Sequence, residues 1–482
     1  MIRNFFGRHR IVFFIILFLG IILSCSCAEK HTGSADLVKN PENTSAVDSD
    51  TSGHSGKSNS PQTNGMDENT SIRWADLIKT DSMDLTYATQ FAVDYYQGDY
   101  ALITIAGQQK YLLLPNGSAD DAANTSDNAK DESDPDISGN VTIKPDPDIS
   151  GNAAAKPDPD ISDSAGNIPE DLPDDIVVLK RNPQRVYIAS SSCMDFWREL
   201  DELDAVWFTS TKRQDWDLPE AAERMTDGDL EFVGKYNAPD FEYLLAENCG
   251  LAVENTMIYH TPDTLEKLES LGIPVLVEYS SYEESPLGRL EWIRLWGLLT
   301  GREKEADDFF SEQVKRVSKL METAGSSAID NGNSTAPRIV YFSINANGVI
   351  RVPKPSSYIP ALIEMAGGKY ALADADLTDD SQNAASSMNM QMEDFYVLAK
   401  DADVLIYNGT IEGNLASIDD LIAKNALFKD FSAVKNHRVW CQDGDLFQHP
   451  TAVAEEVAAF GEVMAGQDAN EANGGKFLQK LE

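Results

Sequence analysis

Four short apolar runs, "RVYIAS" at 185–190, "AVWFTS" at 205–210, "LAVE" at 251–254 and "PVLVE" at 274–278, are each followed by a segment with helical spacing. Short β-branched or aromatic runs alternating with helices predict a parallel α/β sheet. In "PDFEYLLAEN" the pattern puts Pro239 at a helix start and Phe241, Leu244 and Leu245 on one face. Upstream, "FAVDYYQGDYALITIAGQQKYLLLP" reads as two strand-like runs around Ala106-Gly107-Gln108, a β-hairpin. Downstream, a helix from Pro286 ends at Gly301. A second runs from Arg302 to about Met321 with Ala306, Phe310, Val314 and Val317 on one stripe, about 30 Å long. After the polar stretch 324–337 a second alternating set begins: "RIVYFSI", "VIRVP", the helices "YIPALIEMAGG" and "MEDFYVLAKDA", "DVLIYN", "RVWCQ" and a final helix to about residue 465. The expected fold is therefore two α/β lobes with parallel-sheet architecture joined by a long rigid helix and preceded by the hairpin. The lobes are assigned to residues 71–285 and 337–466, with 286–322 as the helical connection and 467–482 as a tail.

The N-terminus follows a different pattern. "MIRNFFGRHR" carries three arginines ahead of "IVFFIILFLGIIL", an apolar run too short to span a bilayer comfortably, so residues 1–24 read as an export signal. The order Ile22-Leu23-Ser24-Cys25 resembles a bacterial lipobox, with an aliphatic residue three before the cysteine and a small one just before it. Cys25 is expected to carry a lipid. Cys27 fits less well, because Ser24 would then hold the aliphatic position. Residues 25–70, rich in Ser, Thr, Asn, Gly and Asp, read as a stalk that stands the folded body off the outer face of the membrane.

A second low-complexity region, 115–170, contains "DPDISGN" at 134–140 and 146–152 and "DPDISDS" at 158–164. The spacing of Asp134, Asp136, Ser138 and Gly139 opens like a calcium loop, but position twelve falls on Pro145, and on Pro157 in the second copy, where a bidentate carboxylate is needed. With sixteen Asp and Glu against three Lys between Asp120 and Asp175, the region reads as a tolerated acidic insertion. Cys193, Cys249 and Cys441 have no CxxC spacing and suggest buried small hydrophobes, not a zinc site or disulfide framework.

A formal net charge of -40 excludes nucleic acid as a partner. His260, His437 and His449 have no metal-pair spacing, and "SSSCMD" has no nucleophile-elbow glycines, so neither a catalytic centre, a metal site nor a cofactor is expected. Ligands of open α/β sheets sit beyond the carboxyl ends of the strands. The loops there offer Met194, Trp216, Lys235, Tyr236, Met257, Tyr259 and His260 from one lobe and Arg351, Asn408 and Phe447 from the other. Aromatic and thioether groups facing each other across a cleft suit a bulky, partly apolar ligand oriented by a few polar groups.

The runs "GKYNAPDFEYLLAENCGLAVENTMIYHTPDTLEKLESLGIPVLVE" and "SYEESPLGRLEWIRLWGLLTGREKEADDFF", with "KDADVLIYNGTIEG" and "RVWC", resemble the iron-complex and cobalamin class of ABC-transporter substrate-binding lipoproteins. The likeness covers residues 71–114 and 171–465. It implies a monomer that captures a ferric siderophore, haem or cobalamin and delivers it to a membrane permease with its ATPase. It also implies docking to the permease through one acidic residue on each lobe. Asp263 matches in the first lobe; in the second, Ser356 and Ser357 stand where an acid is usual, and Glu364 is the substitute. Two other readings stay open: a surface haem scavenger without a permease, and a chelatase-like tetrapyrrole enzyme. Mass spectrometry of the membrane fraction is expected to find Cys25 acylated at the mature N-terminus; an unmodified Cys25 there overturns the lipoprotein assignment.

Overall fold

The computed structural model describes residues 72–116, 168–330, 336–375, 386–442, 444, 446–466 and 477–482. All belong to one unit of the chain, Glu68–Glu482. The expected signal segment, Cys25, the stalk and residues 117–167 of the acidic insertion lie outside the described residues.

The N-terminal region is larger than a hairpin. Strands β1 (Lys79–Ser82), β2 (Phe91–Tyr96), β3 (Tyr100–Ile105), β4 (Gln109–Leu113) and β5 (Ile176–Leu179) form one sheet in that order. The first expected strand splits into β2 and β3 because Gly98 and Asp99, in "QGD", take φ of 80° and 65° and turn the chain in the left-handed region. β5, on the far side of the acidic insertion, pairs parallel to β4 with Lys110 opposite Ile176 and Leu113 opposite Leu179.

The first lobe follows with β6 (Val186–Ile188), β7 (Val206–Thr209), β8 (Glu231–Phe232), the two-strand excursion β9 (Gly234–Lys235) and β10 (Ala238–Pro239), β11 (Leu251–Glu254) and β12 (Val275–Val277). Its sheet runs β12-β11-β6-β7-β8 with every pair parallel. Pro239 belongs to β10 and does not start a helix. Asp240 caps the helix Phe241–Ala246 by accepting the Tyr243 N–H at 3.0 Å.

The connection comprises the helices Pro286–Glu291, Ile293–Thr300 and Glu303–Asp330. Gly301 ends the middle one in the left-handed region, as its position predicts. Gly297 is needed for close approach, since a Cβ there would lie 2.6 Å from the Ala306 Cβ. The long helix continues beyond Met321 to Asp330, into the stretch expected to be irregular. Ala306, Phe310 and Val317 are buried along it, with Val314 packed at the margin.

The second lobe contains β13 (Arg338–Ile344), β14 (Ile350–Pro353), β15 (Lys369–Tyr370), β16 (Ser387–Met390), β17 (Val404–Asn408), β18 (Val439–Gln442) and β19 (Leu478–Lys480). β13, β17 and β18 are parallel, while β14, β16 and β19 extend the sheet antiparallel. The chain end is therefore not a tail: Leu478 pairs with Gln442, and Leu478 and Leu481 are buried. One apolar core runs without a break from Ile188 and Val253 through Trp292 and Trp296 to Ile339 and Leu405.

Two fully buried carboxylates fasten the N-terminal sheet to the connection. Glu291 accepts the N–H groups of Thr86 at 2.9 Å, Tyr87 at 2.7 Å and Ala88 at 2.8 Å. Glu283 accepts those of Thr89 and Gln90, both at 2.9 Å, and the Trp292 indole N–H at 2.9 Å. Gly288 lets this backbone approach, because a Cβ there would come within 2.8 Å of the Tyr87 carbonyl oxygen. Charge-assisted bonds to several amides at once leave no lone pair idle in the low-dielectric interior. Glu291→Ala strands three part-buried amides and the Arg294 guanidinium beside them, and is expected to lower the unfolding free energy by roughly 3 kcal/mol. Urea unfolding measures this, and a loss under about 1 kcal/mol would refute the fastening role.

Candidate functional site

The carboxyl ends of β6, β11 and β12 face the second lobe across a cleft of about 610 Å³, with an adjoining pocket of about 140 Å³ in the second-lobe wall. On the first-lobe side the chain turns directly from strand into short helices. Ser190–Ser192 leave β6, Asn255–Met257 leave β11, and Glu278–Glu284 leave β12. Asn255 holds its turn by accepting the Met257 N–H at 2.9 Å, which leaves Met257 48% exposed at the cleft edge. Thr256 and Tyr282 share a hydroxyl hydrogen bond of 2.9 Å.

Glu278 is the buried acid of this wall. One of its oxygens accepts the Ser190 hydroxyl at 2.5 Å and the Ser192 hydroxyl at 3.1 Å; the other accepts the Ser280 N–H at 2.7 Å. Such a set orients the carboxylate and ties the turn after β6 to the turn after β12.

The opposite wall comes from β13, β14, the start of the helix Tyr358–Met365, the end of β17 and the loop at Phe447. Arg351 projects from β14 and donates through Nε to the Ser387 hydroxyl at 2.5 Å. Asn408 caps the next turn, its side-chain carbonyl accepting the Thr410 N–H at 3.0 Å and the Thr410 hydroxyl at 2.7 Å. The Tyr358 hydroxyl donates to Glu456, which burial pushes up to about 8. Burial, followed by the neighbouring Glu456 carboxyl, holds the Tyr358 phenol far above its ordinary value.

Behind the cleft the lobes touch through polar contacts. Asp195, fully buried, accepts the Thr451 N–H at 3.0 Å and hydroxyl at 2.5 Å, and the Arg198 Nε–H at 2.8 Å. Asp217 donates its N–H to the Gln448 side-chain oxygen at 3.0 Å, and its carboxylate lies 3.1 Å from His449 Nε2.

Of the ten residues predicted for the ligand, the structure brings Met257, Arg351, Asn408 and Phe447 to the cleft. Met194 has no exposed surface, because the chain enters a helix at that residue and turns the side chain into the core. Trp216 likewise packs in the core at 8% exposure. Lys235 and Tyr236 sit on the β9–β10 excursion, where Tyr236 packs against the other face of the first-lobe sheet. Tyr259 is hydrogen-bonded to Gln109 of β4, and His260 is exposed at the end of the same short helix; neither lines the cleft. Asp263 is exposed in the first turn of the helix Pro262–Ser270, whereas Glu364 lies exposed at the far end of its own helix.

Sequence reasoning missed Glu278, Tyr282, Arg289 and Tyr358. Glu278 had a signal: a lone carboxylate ending the apolar run "PVLVE" at a strand's carboxyl end. Another buried acid, Glu254 at the end of β11, is pushed up to about 9 by burial. The folded chain keeps protons on Glu254 and Glu456 that the unfolded chain releases above about 4.5. Stability from these groups is full below that pH and is lost as pH rises toward 8 and 9. Thermal melts are expected to fall between pH 6 and pH 9, and Glu254→Gln to flatten that fall; an unchanged slope would remove Glu254 as a cause.

Residues 188–446 match the family described as periplasmic binding protein. An uncharacterized lipoprotein of Methanocaldococcus jannaschii is 24% identical over 301 residues, covering 60% of this chain and 66% of that protein. A second lipoprotein of the same organism is 27% identical over 187 residues, covering 38% and 44%. The chain thus spans less than two thirds of the length of these curated relatives. Among solved structures, a periplasmic haem-binding protein of Pseudomonas aeruginosa shares 17% identity with a TM-score of 0.45, covering 58% of this chain and 92% of that one. A petrobactin-binding protein of Bacillus subtilis shares 18% with a TM-score of 0.44, covering 60% and 93%.

Proposed function

The chain belongs to the periplasmic binding protein family, and from that premise we propose that it is an extracytoplasmic solute-binding protein for a bulky metal chelate: a ferric siderophore, haem or cobalamin. In this reading a lipid on Cys25 holds it at the outer face of the membrane, and it hands its cargo to an ABC permease powered by an ATPase. Asp263, exposed at a helix start, serves as the first-lobe docking point.

The observation that carries the reading is the cleft itself. It lies between two lobes, at the carboxyl ends of the first-lobe strands, where open α/β sheets bind ligands. At about 610 Å³ it falls in the range of small-molecule sites. Met257, Tyr282, Tyr358 and Phe447 supply thioether and aromatic surface, and Glu278, Arg351 and the serines supply orienting groups. A continuous core through the connection favours small closure over wide hinge opening.

The full chain, purified in detergent, is titrated with haem, cyanocobalamin and ferric siderophores while tryptophan emission is followed. One of these is expected to saturate at one equivalent. Phe447→Ala, which strips an aromatic surface from the cleft, is expected to weaken that binding roughly tenfold or more. Absence of saturable binding across the panel, or affinity indifferent to Phe447, would refute the reading.

A further inference from the structure

The floor of the cleft holds a cation with unfilled hydrogen-bonding capacity. Arg289, on the first helix of the connection, lines the cleft and is 1% exposed. Its guanidinium carbon lies 5.4 Å from the ring centroid of Tyr358 and 5.4 Å from that of Phe447. One terminal nitrogen donates to the Phe447 carbonyl oxygen at 2.7 Å. Nε and the other terminal nitrogen have no hydrogen-bond partner.

That is an expensive state. An arginine stays charged, and its planar fork of donors matches a carboxylate or another anionic oxygen group in two parallel bonds. Leaving two of its nitrogens buried and unpaired costs free energy that the two aromatic faces return only in part. The acids of the cleft floor do not bond it: Glu283 serves the backbone of residues 89–90, Glu278 holds its serines, and Glu456 receives the Tyr358 hydroxyl on one oxygen while its other, buried oxygen has no hydrogen-bond partner. Meanwhile Arg351 and Lys354 line the same cleft from the second lobe, so its floor and second-lobe wall are basic while Glu278 makes the first-lobe wall acidic.

Building on the solute-binding reading, we propose that Arg289 is the anion receptor of the cleft, and that the captured chelate carries a free carboxylate-type oxygen group which docks on it. The two rings fix the guanidinium before the solute arrives, so little rotamer entropy is lost on docking. Glu278 and its serines then face the hydroxyl or amine donors on the opposite side of the same solute. Because Arg289 rides on the connection and contacts two second-lobe residues, docking also draws the hinge and the second lobe onto one ligand group.

The test compares haem with haem dimethyl ester, and ferric citrate with ferrioxamine B, on the full chain in detergent. The probes with free carboxylates are expected to bind, and esterification to weaken haem roughly tenfold to a hundredfold. Arg289→Met is expected to reproduce that loss while melting no lower than the parent, since it removes an uncompensated buried charge. A structural arginine would give the reverse: a lower melt with affinity kept in the folded fraction. The ester comparison needs no variant, and Arg351→Gln, at an exposed position, supplies a further several-fold loss free of folding effects. Equal affinity for ester and acid, or tight binding of ferrioxamine B that Arg289→Met leaves intact but Phe447→Ala weakens, overturns the anion receptor and leaves the solute-binding reading standing. Failure of every probe to bind overturns both.

Discussion

The structure depends on the pair of buried carboxylates, Glu283 and Glu291, at the start of the connection. Between them they collect five consecutive backbone N–H groups, from Thr86 to Gln90. The segment joining β1 to β2 lies at the margin of the core, where amides turned toward the apolar spine would lack partners without these acids. With the amides satisfied, the N-terminal sheet docks on the same helical spine that carries both lobes, and Tyr111 of β4 reaches across to accept the Val277 N–H at 3.1 Å. The end of β12, which borders the cleft, is therefore braced by the N-terminal sheet. Trp292 stands next to Glu291 in sequence, bonds to Glu283 and packs on Phe91 at 4.9 Å between centroids, so fastening and core packing reinforce each other.

The same spine limits motion. A hinge in a loop lets two lobes swing, but here the apolar core passes through the connecting helices from one sheet to the other. Asp195 with Thr451, and Asp217 with Gln448 and His449, add contacts between the lobes beyond the connection. Closure around a solute must then come from small sliding and side-chain reorganisation, which favours a cleft whose polar groups are held in position before binding. Glu278 with three donors and Arg289 between two rings are built in that way.

Much of this was legible in the chain. Apolar runs such as "DVLIYN" and "RVWCQ" became β17 and β18 because buried parallel strands need continuous β-branched and aromatic surface. Gly301 ended its helix where the stripe stopped. Among the strands that escaped notice, "KTDS" of β1, "SMNM" of β16 and "LQK" of β19 carry no such pattern and are recruited by neighbours already in place, whereas "IVVL" of β5 carries it and was passed over at the edge of the acidic insertion. The site was less legible for a related reason. A loop residue's role depends on which way the first turn after a strand points it, and that direction is set by caps and packing distant in sequence. Met194 turns inward at a helix start, whereas Met257, held by the Asn255 cap, turns outward. Arg289 was hidden among apolar helix residues, where sequence alone cannot separate a surface arginine from one sealed between rings of the other lobe.

A net charge of -40 and a single buried guanidinium act over different distances. Sixteen acids against three lysines between Asp120 and Asp175 place a net thirteen negative charges in one stretch of chain. Most of that stretch lies within residues 117–167, outside the described residues. The cleft lies at the carboxyl ends of β6, β11 and β12. Charges separated by more than about 8 Å of physiological electrolyte are largely screened. The acidic excess favours solubility, while a guanidinium buried in a low-dielectric site is little screened by salt. A cleft with a sealed cation inside an acidic protein selects by contact, not by attraction from afar.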